Sequence, residues 1–252
     1  MACPKAIMLD LDDTLAPSFE SPTPQMIERL MQILDRIPVA IITGRDFPWM
    51  ARDFLPTIVR SPHAKRFYVL PEGSAQCFQW SGTEWHEMYG QSLPDDERQT
   101  INKAILESVA ETGLLKALPI FGEQFVQKKA MVAFATLGMQ VPNDLKYSWD
   151  PGNARRAALC EAIARKLPDY DVVMGGATSI DVTKKGVNKA YGVKWLAEKL
   201  GVATSDMLYV GDALYPGGND AVVIPTGIQT RETSGPDETL TIIDEILKSC
   251  ET

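Results

Sequence analysis

The stretch Ala6-Ile7-Met8-Leu9-Asp10-Leu11-Asp12-Asp13-Thr14-Leu15 places three carboxylates directly after an apolar run. A short continuous apolar run predicts a buried central strand. Asp10 and Asp12, spaced i, i+2 at the end of that strand, would point to the same side of the sheet, at the edge where open α/β folds bind ligands. Two crowded carboxylates repel each other unless a cation or a shared proton relieves them. The pair therefore indicates Mg²⁺ and phosphate chemistry, although aspartates are also common as helix caps and turn residues.

The segments that flank this stretch alternate between strand and helix patterns. Apolar residues at helical spacing predict helices, and short apolar runs predict strands. In chain order the patterns are helix Pro24–Leu34, strands Val39–Thr43 and Arg66–Leu70, helix Lys189–Leu200, strands Met207–Val210 and Ala221–Ile224, and helix Asp237–Leu247. Such alternation is typical of a parallel sheet covered by helices, so we predict an α/β fold.

The middle of the chain follows a different order. Two long helix patterns, Pro94–Leu115 and Pro151–Leu167, are separated by strand patterns with short links. This order is typical of a separate α+β unit of ordinary domain size. We therefore predict a discontinuous α/β core at 1–82 and 186–252, interrupted by an α+β domain at 83–185. Inserted domains of this kind often form a lid over the active site of the core.

Composition restricts the partners of the chain, which has 252 residues and a formal net charge of −8 at pH 7. This charge makes duplex nucleic acid and anionic membranes poor partners. No signal peptide or membrane span is visible, so we expect a cytoplasmic protein. Cys3, Cys77, Cys160 and Cys250 are scattered without a CxxC pair, which predicts buried or free thiols in a reducing compartment.

Further polar residues follow predicted core strands or open a core helix. Thr43-Gly44-Arg45 ends one strand, Lys189 opens a helix, and Gly211-Asp212 ends another strand shortly before Gly217-Gly218-Asn219-Asp220. A hydroxyl with free N–H groups around a glycine suits a phosphate oxygen, and two aspartates in a glycine-rich turn suit a hard cation. Each feature alone is also ordinary turn or surface chemistry. Together with the first aspartate pair they predict one site at one edge of the sheet.

In this order the residues resemble the four motifs of the haloacid dehalogenase-like phosphotransferase superfamily. The motifs are Asp10-x-Asp12-x-Thr14, Thr43, Lys189, and Gly211-Asp212 with Asp220. The resemblance covers nearly the whole chain and implies a Rossmann-like core with an α+β cap. Within the superfamily, the segments 175–182 and 211–220 are similar to those of the eukaryotic-type phosphomannomutases.

The resemblance implies a role for each core residue. Asp10 would attack phosphorus and form an aspartyl phosphate. Asp12 would act as general acid and base, for which we expect a raised pKa in the closed site. Thr43 would bind a phosphoryl oxygen, and Lys189 would offset negative charge.

The same resemblance implies a Mg²⁺ cofactor. Its site would comprise Asp10, the backbone carbonyl of Asp12, and Asp212. Asp220 would lie farther out, where it would orient Lys189 or a metal-bound water.

The substrate implied is a small phosphorylated sugar held between core and cap. From the resemblance we expect it to contact Gly44, Arg45, Lys128, Lys146, Ser179 and Asp181. The mutases grip two phosphates with arginines, one of them shortly after the first motif, where this chain offers Ser18 or Phe19. The corresponding cap positions here are Lys128, Met139 and Lys146.

These departures decide the reaction that we expect. Lysine lacks the bidentate fork of arginine, and methionine cannot pair with phosphate. We therefore expect hydrolysis of a sugar phosphate, with a phosphomannomutase-like phosphohexomutase as the alternative. The resemblance also allows a homodimer through the cap. Asp13 stands where the first motif usually has glycine.

Overall fold

A computed structural model describes residues 2–250 and contains two β-sheets. The larger sheet has seven strands in the order β11-β10-β1-β2-β3-β4-β5, of which the first five are parallel and the last two antiparallel. The strands are β1 (Ala6–Leu9), β2 (Val39–Ile42), β3 (Phe67–Leu70), β4 (Gln76–Trp80), β5 (Trp85–Gly90), β10 (Met207–Gly211) and β11 (Gln229–Glu232).

Helices cover both faces of this sheet. They are α1 (Pro24–Leu34), α2 (Phe47–Asp53), α3 (Leu55–Ile58), α7 (Lys189–Leu200) and α8 (Pro236–Ser249). Alternate residues of a strand point to opposite faces. Ile7 and Leu9 of β1 belong to the apolar cluster of α1, α2, α3 and α8, whereas Met8 belongs to the cluster of α7. This two-sided burial explains why the strand is continuously apolar.

The smaller sheet has four antiparallel strands in the order β6-β7-β9-β8. Its elements are β6 (Phe125–Gln127), β7 (Met131–Ala135), β8 (Tyr170–Met174) and β9 (Ser179–Lys184), with helices α4 (Asp95–Thr112), α5 (Asn143–Ser148) and α6 (Ala154–Lys166). One apolar cluster joins α4 and α6 to this sheet. The predicted α/β fold with a mostly parallel sheet and an additional α+β part is confirmed.

The structure differs from the predicted secondary structure in two places. Strand β5 pairs with β4, so Trp85–Gly90 belongs to the larger sheet although it follows the predicted domain boundary at 83. The division into two domains stays a prediction. The predicted strand Ala221–Ile224 is wrong, because Ala221–Thr226 is a 3₁₀ helix. Pro225 has no N–H to donate to a neighbouring strand.

The expectation of free thiols is wrong for one pair of cysteines. Cys3 and Cys250 form a disulfide across a sequence separation of 247 residues, whereas Cys77 and Cys160 are free. The two ends meet because β1 begins near the N-terminus and α8 packs beside α1 in the same apolar cluster. Within residues 2–250, no helix has the length and apolar character needed to cross a membrane. A cytoplasmic location stays a prediction.

We expect the disulfide to stabilise the fold. Cys3→Ser should lower the free energy of unfolding by about 2–4 kcal/mol, because the cross-link restricts the unfolded chain. Denaturant titration of the oxidised protein measures this loss. A reducing agent should cause the same loss in the unmodified chain and none in the variant, while Cys160→Ser should keep the full response to reductant. Equal stability with and without reductant would contradict the expectation.

Candidate active site

A buried ammonium group lies at the centre of the polar residues. Lys189 Nζ is 2.7 Å from Asp10 Oδ1 and 2.6 Å from Asp220 Oδ1, and its side chain is only 4% exposed. Asn188 fixes the start of α7, since its side chain accepts the N–H groups of Ala190 and Tyr191. Burial would lower the pKa of Lys189, but the two carboxylates outweigh burial and raise it. The lysine therefore remains charged between them.

Three neighbouring donors bind the carboxylate of Asp220. Its Oδ1 accepts from Lys189 and from the hydroxyl of Tyr209, and its Oδ2 accepts from the N–H of Ala213 at 3.1 Å. The residue is completely buried. Both oxygens thus hold Lys189 and the turn after β10, which agrees with the orienting position expected for Asp220.

The acidic cluster fits a divalent cation. One carboxylate oxygen each from Asp10, Asp212 and Asp220 lies within 4.8 Å of the others. Burial raises the pKa of Asp10 well above its ordinary value, and burial together with Asp220 raises the pKa of Asp212 to about 6. Asn219 Oδ1, in the wall of the same cavity, is buried and has no hydrogen-bond partner among residues 2–250. Crowded carboxylates beside an unused amide oxygen are a donor set that Mg²⁺ accepts.

The carboxylate of Asp12 is bound by Arg45. Arg45 donates from Nε to both carboxylate oxygens, at 3.1 and 3.0 Å, and from Nη2 to Oδ1 at 2.6 Å. Burial alone would raise the pKa of Asp12, but the hydrogen bonds and charge of Arg45 outweigh burial and lower it. The raised pKa that we expect for Asp12 in the closed site stays a prediction. The guanidinium also lies over the ring of Trp49, 4.0 Å from its centre.

The second predicted motif lies beside this ion pair. The buried Thr43 Oγ1 accepts the N–H of Arg45 at 3.1 Å. At Gly44 a Cβ would be 3.2 Å from Asp181 Oδ2, so the absence of a side chain leaves room for that carboxylate. Thr14 of the first motif exchanges hydrogen bonds with Asp212, joining the first and last motifs.

A cavity of about 870 Å³ separates these residues from the four-stranded sheet. The residues that line it include Asp10, Asp12, Gly44, Arg45, Met139, Asp212 and the four expected cap residues Lys128, Lys146, Ser179 and Asp181. The structure thus brings the expected core and cap residues to one space, with Thr43, Lys189 and Asp220 directly behind its wall.

Lys128 and Lys146 hold different positions in this cavity. Lys128 Nζ donates to the carbonyl of Gly44 at 2.6 Å. Lys146 is 3% exposed, and its Nζ lies 4.2 Å from the centre of the Phe19 ring. Phe19, one of the two candidates for the missing arginine, therefore binds a cation of the cap instead of supplying a cation itself.

Arg156 is a cavity residue that sequence reasoning missed. It is buried in α6, lies 3.5 Å from Asp150 Oδ2, and donates to the carbonyl of Gly176 and to the side chain of Asn153. Asp150 accepts the N–H groups of Arg155 and Arg156 at the start of the helix. The arginine belongs to no motif, and its spacing resembles that of any helix residue.

Asp13 has a local explanation. Its φ of 57° is a left-handed conformation that favours glycine. Its carboxylate accepts the N–H of Ser18 at 2.9 Å and the hydroxyl of Tyr147, in the cap, at 3.4 Å. Aspartate tolerates this backbone conformation because its short side chain can form such local hydrogen bonds.

We expect Lys189→Met to be strongly destabilising. The change leaves two buried carboxylates without their cation, which should lower the free energy of unfolding by about 3–5 kcal/mol at neutral pH. Denaturant titration measures the loss. Lys185→Met, at an exposed lysine nearby, should cost less than about 0.5 kcal/mol. Equal losses in the two variants would show that the buried ion pairs are not needed.

We expect Mg²⁺ to stabilise the protein in a pH-dependent manner. Because the folded pKa of Asp212 is raised to about 6, its contribution to stability is present at low pH and is lost as the pH rises through that value. At one hundred times its Kd, Mg²⁺ should add about 2.7 kcal/mol to the free energy of unfolding. At a fixed Mg²⁺ concentration, the melting temperature should therefore rise more at about pH 7.5 than at about pH 5.5.

The variant Asp212→Asn provides the comparison. It should be more stable than the unmodified chain without metal at about pH 7.5, and it should lose most of the response to Mg²⁺. A similar Mg²⁺ response in both proteins would contradict the assignment of Asp212 as a metal ligand.

Comparison with known proteins places this site in a family. A "Probable phosphomannomutase" of Caenorhabditis elegans is 23% identical over 257 residues, covering 96% of this chain and 95% of the relative. IMP-bound, N-terminally truncated IMP-nucleotidase of Plasmodium falciparum has a similar fold, with a TM-score of 0.74, 18% identity, and coverage of 98% of this chain and 68% of that one. A haloacid dehalogenase-like hydrolase from Bacteroides thetaiotaomicron has a TM-score of 0.60 and 17% identity, covering 96% and 99% of the two chains.

The sequence pattern that defines the eukaryotic phosphomannomutases matches residues 26–249. This range includes the cavity residues of the cap and the second, third and fourth motifs. The protein therefore belongs to the eukaryotic phosphomannomutase family.

Proposed function

We propose that the protein transfers the phosphoryl group of a small phosphorylated sugar through Asp10. The observation that carries the proposal is the position of this carboxylate. Lys189 holds Oδ1, whereas no hydrogen bond from residues 2–250 reaches Oδ2, and the side chain lines the large cavity. An oriented carboxylate with one unused oxygen, beside a fixed cation, suits nucleophilic attack on phosphorus.

The proposed first step moves the phosphoryl group onto the protein. Asp10 Oδ2 forms a bond to phosphorus while the bond from phosphorus to the sugar oxygen breaks, and Asp12 supplies the proton to that oxygen. Lys189 offsets the negative charge behind the nucleophile. Thr43, whose Oγ1 accepts the N–H of the cavity residue Arg45, would hold a phosphoryl oxygen. When bound by Asp10 and Asp212, Mg²⁺ would neutralise phosphate charge.

Arg45 would control when Asp12 takes part. The guanidinium is bound to the Asp12 carboxylate in the absence of substrate. Phosphate is also a preferred bidentate partner of arginine. An incoming phosphoryl group would therefore compete for Arg45. The released Asp12 carboxylate would take up a proton from solvent before it gives that proton to the sugar oxygen.

We propose a second sugar hydroxyl as the acceptor, which makes the protein a phosphohexomutase. The family favours this reaction over the hydrolysis expected from the sequence. Three cations of the cap support it, because Lys128, Lys146 and Arg156 line the cavity opposite the core site and could hold a second phosphate. The phosphoryl group on Asp10 would pass to the other end of a reoriented sugar phosphate, with Asp12 accepting the hydroxyl proton.

Hydrolysis is the second candidate, and the side chain of Met139 favours it. This residue lines the cavity at a position where the resemblance predicts a phosphate-binding arginine. Lys128 and Arg156 are also already bound to carbonyl oxygens of the protein. Weak binding of the second phosphate would let water reach the phosphorylated Asp10. The cytoplasmic location and the homodimer through the cap stay predictions.

The decisive measurement follows both products from mannose 1-phosphate and a panel of other sugar phosphates, with Mg²⁺. We expect conversion to the 6-phosphate that depends on a catalytic amount of hexose 1,6-bisphosphate, with little release of inorganic phosphate. Release of one phosphate for each sugar consumed would establish hydrolysis instead.

Asp10→Asn should reduce either activity by at least about a thousandfold, because it removes the nucleophile without a change in volume. Asp206→Asn, at an exposed aspartate in the short 3₁₀ helix before β10, should retain activity. Undiminished turnover by purified Asp10→Asn would exclude the proposed mechanism.

A further inference from the structure

Glu72 is a buried carboxylate outside the acidic cluster. Glu72 is in the short 3₁₀ helix that follows β3 and is only 2% exposed. Within residues 2–250 it forms no ion pair. Its Oε1 instead accepts the N–H of Lys129 at 3.2 Å, and its Oε2 accepts the N–H of Ala130 at 2.6 Å. Two main-chain donors therefore compensate the buried charge.

These donors belong to the other sheet. Lys129 and Ala130 form the turn between β6 and β7, closed by the hydrogen bond from Lys128 N to Met131 O at 3.0 Å. The residue before them, Lys128, extends its ammonium across the cavity wall to the carbonyl of Gly44. The Glu72 carboxylate thus fixes the segment of main chain from which Lys128 projects.

The backbone of Glu72 supports the core side of the same contact. Its N–H donates to the carbonyl of Arg45 at 2.9 Å, and the N–H of Gly73 donates to the carbonyl of Thr43 at 2.9 Å. Its φ of 51° is left-handed, a costly conformation for a residue with a side chain. One residue therefore holds the loop that contains Gly44 through its main chain and the turn that carries Lys128 through its side chain.

We propose that Glu72 is a positioning residue that sets Lys128 at its place in the substrate cavity. Glu72 does not reach the cavity itself and acts only through the β6–β7 turn. Lys128 would then bind an anionic group of the substrate. This part of the inference rests on the proposed function, whereas the anchoring of the turn does not.

The test compares Glu72→Gln with Glu87→Gln. Glutamine keeps the size and the backbone hydrogen bonds of Glu72, but its NH₂ group cannot accept, so one of the two turn N–H groups loses its partner. We expect the amide hydrogens of Lys129 and Ala130 to exchange about tenfold faster. We also expect KM for mannose 1-phosphate to rise about tenfold with little change in kcat. Glu87 pairs with the exposed side chain of Lys129 in the same turn, and its variant should change neither quantity.

A double-mutant cycle distinguishes positioning from general stability. Lys128→Met alone should raise KM as much as Glu72→Gln does, and the double variant should show no further increase. Independent, multiplying effects on KM would overturn the proposal, and so would unchanged exchange at Lys129 and Ala130. If Glu72→Gln does not fold, Glu72→Asp, which shortens the side chain by one methylene group, should shift the amide exchange and KM in the same direction.

Failure of the proposed function would be visible separately. A chain that converts no sugar phosphate gives no KM, but the exchange of the two turn amides still reports whether Glu72 anchors them. Faster amide exchange without turnover would refute the proposed substrate but support the anchoring of the turn by Glu72. Unchanged exchange with turnover would refute that anchoring but support the proposed substrate.

Discussion

The buried ion pairs of Lys189 are the interaction on which the rest of the site depends. The lysine comes from α7, near the far end of the chain from β1, yet it lies between Asp10 and Asp220 with almost no exposure. Burying three charged groups is expensive unless each is compensated, so their positions must be fixed closely. Asn188 at the helix start and the donors around Asp220 fix them. This arrangement leaves one oxygen of Asp10 available to the cavity while the other remains bound.

A second constraint is the contact between the two sheets. The segments that follow strands of the large sheet supply the carboxylates of Asp10, Asp12 and Asp212. The small sheet, together with its helices and loops, supplies the opposite wall of the cavity. The two meet through hydrogen bonds of very different quality. Near Glu72 the contacts are short and buried, whereas Asp13 and Tyr147 meet at 3.4 Å on the exposed side. Rigid attachment on one side and weak contact on the other suits a cap that must admit a substrate and then enclose it.

Much of the core site can be predicted from sequence because its chemistry sits where apolar runs end. Asp10, Thr43, Lys189 and Asp212 follow strands or open a helix, and parallel strands bring those ends to one edge. The same rules fail where the partner is remote. The pairing of Arg45 with Asp12, which lowers the pKa of Asp12, depends on a side-chain contact that no sequence periodicity indicates. Arg156 and Glu72 likewise lie in ordinary patterns, and only the fold places them beside the cavity and the turn. Residues 221–224 are apolar like a strand, but Val223 packs in the α7 cluster from a 3₁₀ helix.

The disulfide has a topological consequence. Strands β1 and β10 are neighbours in the sheet although they come from opposite ends of the chain, and Cys3 and Cys250 close that chain into a covalent ring. The small sheet and its helices then form a segment within this ring, and they are no longer the only covalent link between the two portions of the large sheet. Cleavage of one peptide bond in an exposed turn of this segment would leave the two fragments joined by the disulfide. The two portions of the large sheet would stay at the high local concentration that favours their re-pairing.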